Sequence, residues 1–308
     1  MDFLRPATLG QAIEAKAERP DAVPIAGGTD VMVEINFGVR RPEALLDLNR
    51  VGELTGVDRD GGALRVGACV SYARIVAELG GPLPGLAMAA RTVGSPQIRN
   101  RGTVGGNLGA ASPAGDMHPV LLACDAQVEA ASVRGRRLIP AAEFFTGPKR
   151  SVLAPDELIT AFVIAPATAA QQFAKIGTRN AMVIAVCSFA VSLWPGGRPG
   201  ADKAGADKQS GDGRVGTGIG SAGPVPLRAT EAERFLDGEL DAAGLWASRG
   251  PLPAALGGRF GELVAGAARP IDDVRGTAAY RRHALAVLAR RTLGWAWDAY
   301  RKEAATCG

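Results

Sequence analysis

Residues Val93 to Asp116 read VGSPQIRNRGTVGGNLGAASPAGD, and the fold is read outward from this stretch. Its glycines, Gly102, Gly105, Gly106 and Gly109, stand among Thr103, Asn107 and Ser112. Backbone without Cβ atoms comes close to a bound group and offers it bare N–H donors. Such a surface suits a diphosphate. Beyond it, Ala114-Gly115-Asp116 leads into the apolar run Pro119 to Ala123. That run reads as a helix whose first turn holds Asp116 and exposed N–H groups that favour anions. The whole stretch reads as a cofactor cradle.

The chain carrying it has 308 residues, 47% of them hydrophobic, enough for two domains or three small ones, each with its own core. Its formal charge is +4 and its basic residues are spread out, the densest cluster being Arg134 to Arg137 beside a hairpin turn at Gly135. This is not the basic stripe interleaved with aromatics that nucleic acid requires. No stretch approaches a membrane span, and the N-terminal MDFLRPATLGQAIEAKAERP carries acids where a signal peptide needs an apolar run. A cytoplasmic protein is expected. Cys69, Cys124, Cys187 and Cys307 are far apart and form no C-x-x-C pair, so they read as free thiols in a reducing compartment. Any redox group in this chain is then something other than a cysteine-bound cluster.

Before the cradle, Thr8 to Arg19 has a helical pattern with Thr8 as N-cap and Pro20 as a stop. Val23-Pro24-Ile25-Ala26-Gly27-Gly28-Thr29-Asp30 is a short strand entering a glycine turn, and Val31 to Ile35 is either a helical turn or an extended piece. Taken alone, the Gly-Gly turn is a tight connection as readily as a phosphate loop. Ala44 to Leu48 and Leu64 to Ala68 read as strands, the second entered through Gly61-Gly62. Ser71 to Leu79 and Leu83 to Arg91 read as helices. With no G-x-G-x-x-G opening a long helix, this half is α+β rather than a doubly wound sheet.

After the cradle, Gln127 to Ala131 and Arg136 to Ile139 form a hairpin, and Leu158 to Ile164 is a strand. Ala165 to Gln171 is an Ala and Pro connector and the expected domain boundary. Met182 to Trp194 is nearly continuous apolar sequence, as a buried strand requires. Pro195 to Arg214 reads as a mobile surface loop. Val215 to Ser221 is a return strand diluted by Gly216, Gly218 and Gly220. Ala229 to Phe235 is a helix, and a final helix from Thr277 to Tyr300 puts Leu285, Leu288, Ala289 and Thr292 on one face, with Arg281 mostly elsewhere.

Three features carry chemistry. Two glycine loops, Ala26 to Asp30 and Thr103 to Asn107, each end in a polar side chain, and two in one small domain say far more than one. Asp116 caps a helix, or accepts ribose or ribityl hydroxyls, or does both. Lys175 and Arg179 form a basic pair that by residue type belongs on the surface. His118 and His283 are the only histidines; His118 reads as a local structural residue, and no Ser-His-Asp arrangement or metal cluster emerges.

Taken together, PIAGGTD at Pro24 to Asp30 and TVGGNLGAASPAGD at Thr103 to Asp116 resemble the FAD-binding medium subunit of the molybdenum hydroxylases. The likeness continues through PDELIT at Pro155 to Thr160, FAKIGTR at Phe173 to Arg179, PVPLRATEAE at Pro224 to Glu233 and ARPIDDVRGTAAYRR at Ala268 to Arg282. The resemblance implies an α+β fold: an FAD-binding domain, residues 1–168, of two small α/β subdomains (about 1–56 and 57–168). A C-terminal domain, residues 169–308, with a three-stranded antiparallel sheet and helices, completes it.

Carried over by position, the resemblance assigns Pro24, Ile25, Ala26, Gly27, Gly28, Thr29, Asp30 and Val31, with Thr103, Val104, Gly105, Gly106 and Asn107, to the FAD diphosphate. Asp116 then binds cofactor hydroxyls, Leu158 packs nearby and Lys175 approaches the flavin. The resemblance also implies a large partner subunit with a molybdenum cofactor and a small one with two two-iron two-sulfur clusters, arranged as a dimer of heterotrimers. On the same resemblance, FAD in this chain is expected to collect electrons and pass them to an external acceptor. The competing reading is a stand-alone oxidase of the vanillyl-alcohol oxidase type; the absence of a histidine or cysteine placed for covalent flavin attachment disfavours it.

Overall fold

A computed structural model describes residues 1–60, 62–166, 170–197 and 214–305. Most of the expected loop Pro195 to Arg214, three residues of the Ala165 to Gln171 connector, Gly61 and Cys307 lie outside the described residues.

The first sheet holds β1 (Asp2–Leu4), β2 (Val23–Ile25) and β3 (Ala44–Asp47) in the order β1-β3-β2, all parallel. Its crossover helix α1 (Leu9–Glu18) starts where Thr8 Oγ1 accepts the Gln11 N–H. Pro24 sits in β2, an edge strand, where a missing N–H costs no ladder bond. The chain then enters α2 (Val31–Asn36), which settles the open reading of that segment as helix.

The second sheet is antiparallel. It takes β4 (Val57–Asp60), β5 (Ala63–Gly67), β6 (Gln127–Ser132), β7 (Gly135–Pro140) and, after a short hairpin of β8 (Phe145–Gly147) and β9 (Arg150–Ser151), β10 (Leu158–Ile164). The order is β4-β5-β10-β6-β7. Between β5 and β6 run α3 (Tyr72–Glu78), α4 (Pro84–Thr92), α5 (Pro96–Arg101), α6 (Val104–Ala110) and α7 (Met117–Ala123), with α8 (Ala141–Phe144) after β7. The apolar faces of α3, α4, α6, α7 and α8 share one core with β5, β6 and β10.

The third sheet is antiparallel, β11 (Gln171–Ile176), β12 (Cys187–Leu193) and β13 (Val215–Gly220) in that order. It is covered by α9 (Thr230–Ala242), α10 (Leu245–Ser248), α11 (Ala254–Ala267) and α12 (Ala278–Ala305), which build a separate core. The sheet side of the α+β expectation therefore stands. No described helix is long and apolar enough to cross a membrane.

Two details differ from the sequence reading, and the glycine-diluted return strand is present as expected. The strand expected from Met182 begins only at Cys187; Met182 and Ile184 are more than half exposed. The glycine-diluted strand β13 is buried throughout. Its glycines face α7: a Cβ at Gly218 would lie 1.9 Å from the Pro119 carbonyl oxygen and one at Gly216 2.1 Å from that of Ala123. Backbone packs on backbone there, which only glycine permits. Arg281, finally, is buried at 3% exposure. Its guanidinium pairs with Asp273 at 2.6 Å and donates to the Val186 and Ser221 carbonyls at 2.6 Å. An arginine so surrounded satisfies its charge inside the protein.

Candidate functional site

The first glycine turn leaves the edge of the first sheet. Gly28 adopts φ +73°, a conformation that favours glycine, and Asn49 Nδ2 holds the turn by donating to the Ala26 carbonyl at 2.8 Å. The N–H groups from Gly27 to Val31 make no hydrogen bond to any described residue. Five successive donors without a protein partner, on a turn that lines the cavity and enters a helix, are the kind of group that anions bind. Asp30 does not cap α2; its carboxylate turns outward to Lys149 at 3.0 Å.

The second glycine stretch is not a loop but a helix start. Thr103 is the N-cap of α6, its Oγ1 accepting the Gly106 N–H at 2.9 Å. Gly105 donates to the Ala68 carbonyl at 3.1 Å. The glycine donors expected to be bare are thus taken by the protein, and what these glycines contribute is closeness. The two stretches touch: a Cβ at Gly27 would fall 1.9 Å from the Arg101 carbonyl oxygen and 2.9 Å from the Gly102 nitrogen.

Both stretches border one cavity of about 650 Å³, within the size range of small-molecule sites. All of Pro24–Val31 line it, as do Thr103, Gly105, Gly106, Asn107, Asp116 and Leu158. Val104 does not: it is fully buried in the core beneath. Lys175 does not border the cavity either. Its ammonium donates to Asp116 Oδ2 at 2.6 Å, to the Thr92 carbonyl at 2.9 Å and to the Val183 carbonyl at 3.1 Å. With all three protons so used, Lys175 holds the wall and has no donor left for a ligand.

Asp116 precedes α7 but makes no side-chain cap bond. Instead it pairs with Lys175 and accepts a 3.3 Å bond from Thr92 Oγ1. Burial pushes its carboxyl above the usual range, and Lys175 pulls the other way. Its second oxygen, Oδ1, is buried without a partner, as is Asn107 Oδ1. Two orphan acceptors in a cavity wall fit a ligand rich in hydroxyls.

His118 lies behind this wall, fully buried, with Nε2 3.1 Å from the Asn107 carbonyl oxygen. Burial lowers its pKa to about 4, so it is neutral and structural. Its place agrees with the local role expected of it.

Sequence reasoning missed three wall elements. Met182, Val183 and Ile184, read as strand, line the cavity instead, and Tyr72 lines it from α3. Cys69 also borders it. Burial pushes its thiol up to about 12, which keeps it from acting as a nucleophile near neutral pH.

The cavity's donors, apolar shelf and orphan acceptors fit a flavin dinucleotide, and comparison with known proteins points the same way. Residues 1–167 match the family described as the FAD binding domain in molybdopterin dehydrogenase, and residues 172–296 match the CO dehydrogenase flavoprotein C-terminal domain. The chain is 39% identical over 160 residues to the nicotine 6-hydroxylase medium subunit of Paenarthrobacter nicotinovorans, covering 51% of this chain and 56% of that one. It is 35% identical over 194 residues to the nicotinate dehydrogenase FAD-subunit of Eubacterium barkeri, covering 60% of this chain and 66% of that one. The match thus spans less than two thirds of either relative. The fold is that of a chain of the carbon monoxide dehydrogenase of Hydrogenophaga pseudoflava, with a TM-score of 0.84 at 24% identity over 97% of this chain and 98% of that chain.

Proposed function

This chain belongs to the FAD-binding family of molybdopterin dehydrogenases, and from that premise we propose that it is the electron-transferring flavoprotein subunit of a molybdenum hydroxylase complex. It is an oxidoreductase component with FAD as its own cofactor. Electrons reach it from iron-sulfur clusters of a small partner subunit, fed by a molybdenum cofactor in a large one, and leave to an external acceptor. The observation that carries this reading is the meeting of both glycine stretches on one cavity with an orphan carboxylate oxygen in its wall.

Within it, the N–H groups of Gly27 to Val31 face the diphosphate, and Thr103, Gly105, Gly106 and Asn107 form the close wall on its other side. Val104 anchors that wall from the core. Asp116 Oδ1 accepts a ribityl or ribose hydroxyl, and Leu158 supplies an apolar shelf. FAD, when bound, supplies a centre that exchanges electrons singly or in pairs. The chain's part is to hold it and to exclude water, with the Met182 to Ile184 segment as part of the cavity wall. A division into a binding domain (1–168, with subdomains about 1–56 and 57–168) and a C-terminal domain (169–308) belongs to the same proposal; the two family matches, over residues 1–167 and 172–296, support its main boundary.

Purification of the chain from its native host tests the reading. The expected result is a flavin absorbance spectrum and co-elution with a molybdenum subunit and an iron-sulfur subunit. A flavin-free chain, or a free monomer with full substrate turnover, overturns it.

A further inference from the structure

Tyr72 belongs to neither glycine stretch, yet it stands where they converge. It opens α3 directly after the N-cap Ser71, whose Oγ accepts the Arg74 N–H. Its own N–H donates to the Gly102 carbonyl at 2.9 Å. The ring packs against the second stretch: a Cβ at Gly102 would sit 2.7 Å from Tyr72 Cε2 and 3.0 Å from Cδ2. Gly102 is in turn the residue whose nitrogen abuts Gly27 of the first stretch. One aromatic ring thus backs the contact between the two.

The residue is 4% exposed and borders the cavity. Its hydroxyl hydrogen-bonds to no described residue, and it is not among the sealed-off polar atoms of the interior. A buried tyrosine ordinarily finds a partner for its O–H. The carboxylates of Asp30 and Asp116, one from each side of the cavity, both add to burial in pushing the phenol's pKa up. The group therefore stays a neutral O–H donor at any working pH. A neutral phenol with an uncommitted O–H can donate to an anionic ligand, which a phenolate would repel.

We propose that the Tyr72 hydroxyl donates a hydrogen bond to the diphosphate of FAD, completing with a side chain the donor set begun by the backbone of Gly27 to Val31. This rests on the assignment of the cavity to FAD.

Tyr72→Phe in the full chain tests it, because the phenyl ring keeps its packing against Gly102. Deflavinated wild type and variant are titrated with FAD, and the bound cofactor is observed by phosphorus NMR. The variant is expected to melt at the wild-type temperature without FAD, to bind FAD roughly tenfold more weakly, as the loss of one hydrogen bond to a charged group implies, and to shift at least one diphosphate resonance. Unchanged affinity together with unchanged resonances overturns the proposal. So does weaker binding with unchanged resonances, since the hydroxyl then acts away from the diphosphate. Should the Phe variant melt early, the same two resonances are read below its melting temperature, where the chain is folded. Wild type that takes up no FAD sinks the cavity assignment itself, which separates that failure from this one.

Discussion

The Lys175 ammonium lies 2.6 Å from Asp116 Oδ2, and each side chain is only 9% exposed. The pair joins β11 of the third sheet to the start of α7, so two distant parts of the chain share one buried charge interaction. Paired and fully hydrogen-bonded, such charges are tolerated; unpaired, they are costly.

Lys175→Met should therefore destabilise the chain by about 3–5 kcal/mol, measured by urea unfolding at neutral pH. Adding Asp116→Asn should recover a large part of that loss. Asp116 has a raised folded-state pKa, so its contribution is greatest at low pH and fades as pH rises through that value. The single variant should accordingly gain stability, relative to wild type, as pH falls below neutral. A double variant no more stable than the single one would show that the carboxylate is not what suffers.

Gly106→Val separates binding from folding. A Cβ there would meet only Thr103 Oγ1, at 3.1 Å, so the flavin-free chain should melt within a few degrees of wild type. The valine methyls enter the cavity, and FAD affinity should drop by at least tenfold. Asp116→Ala should also lose FAD on dilution, with a loss of stability that Gly106→Val lacks. Full flavin occupancy in both variants would place the cofactor elsewhere.

His118 sets a pH limit. Its folded-state pKa of about 4 lies below the unfolded value of 6.5, so the stability it contributes is present above pH 6.5 and is lost as pH falls toward 4. The full difference corresponds to about 3 kcal/mol. Unfolding of wild type and His118→Gln, followed from pH 7 to pH 4, should show a steeper decline in wild type. Parallel curves would mean that His118 titrates normally.

Gly218→Ala should be among the most damaging glycine substitutions, at about 1–3 kcal/mol or more, because its Cβ would overlap the Pro119 carbonyl. Gly238→Ala, in the middle of α9 with nothing within 4 Å of the added atom, should instead stabilise by about 0.5–1 kcal/mol. Thermal melts of the two variants check the contrast.

These contrasts also explain what could be read from the sequence. Pro24 to Asp30 was legible because an apolar strand, a glycine pair and a polar exit are local features, and the structure keeps them local. Thr103 to Asn107 was legible as a place but not as a shape. Two adjacent glycines argue against helix by propensity, and only the buried faces of Val104 and Leu108 make helix the better solution. The role of Lys175 was hidden for a different reason. Its partners, Thr92, Asp116 and Val183, lie 83, 59 and 8 residues away, and no periodicity encodes such a meeting. The start of Met182 to Trp194 misled because a run of apolar residues looks the same whether it is buried in a sheet or lines a cavity.

The contact between β13 and α7 has one more consequence. Asp116 begins α7, and α7 rests on the peptide groups of Gly216 and Gly218 with no side chain between. Side chains can re-pack when a neighbour changes; peptide groups in van der Waals contact cannot. The position of the acidic group in the cavity is therefore gauged by a rigid spacer of main-chain thickness, and drift in the surrounding apolar residues can proceed while that gauge stays constant.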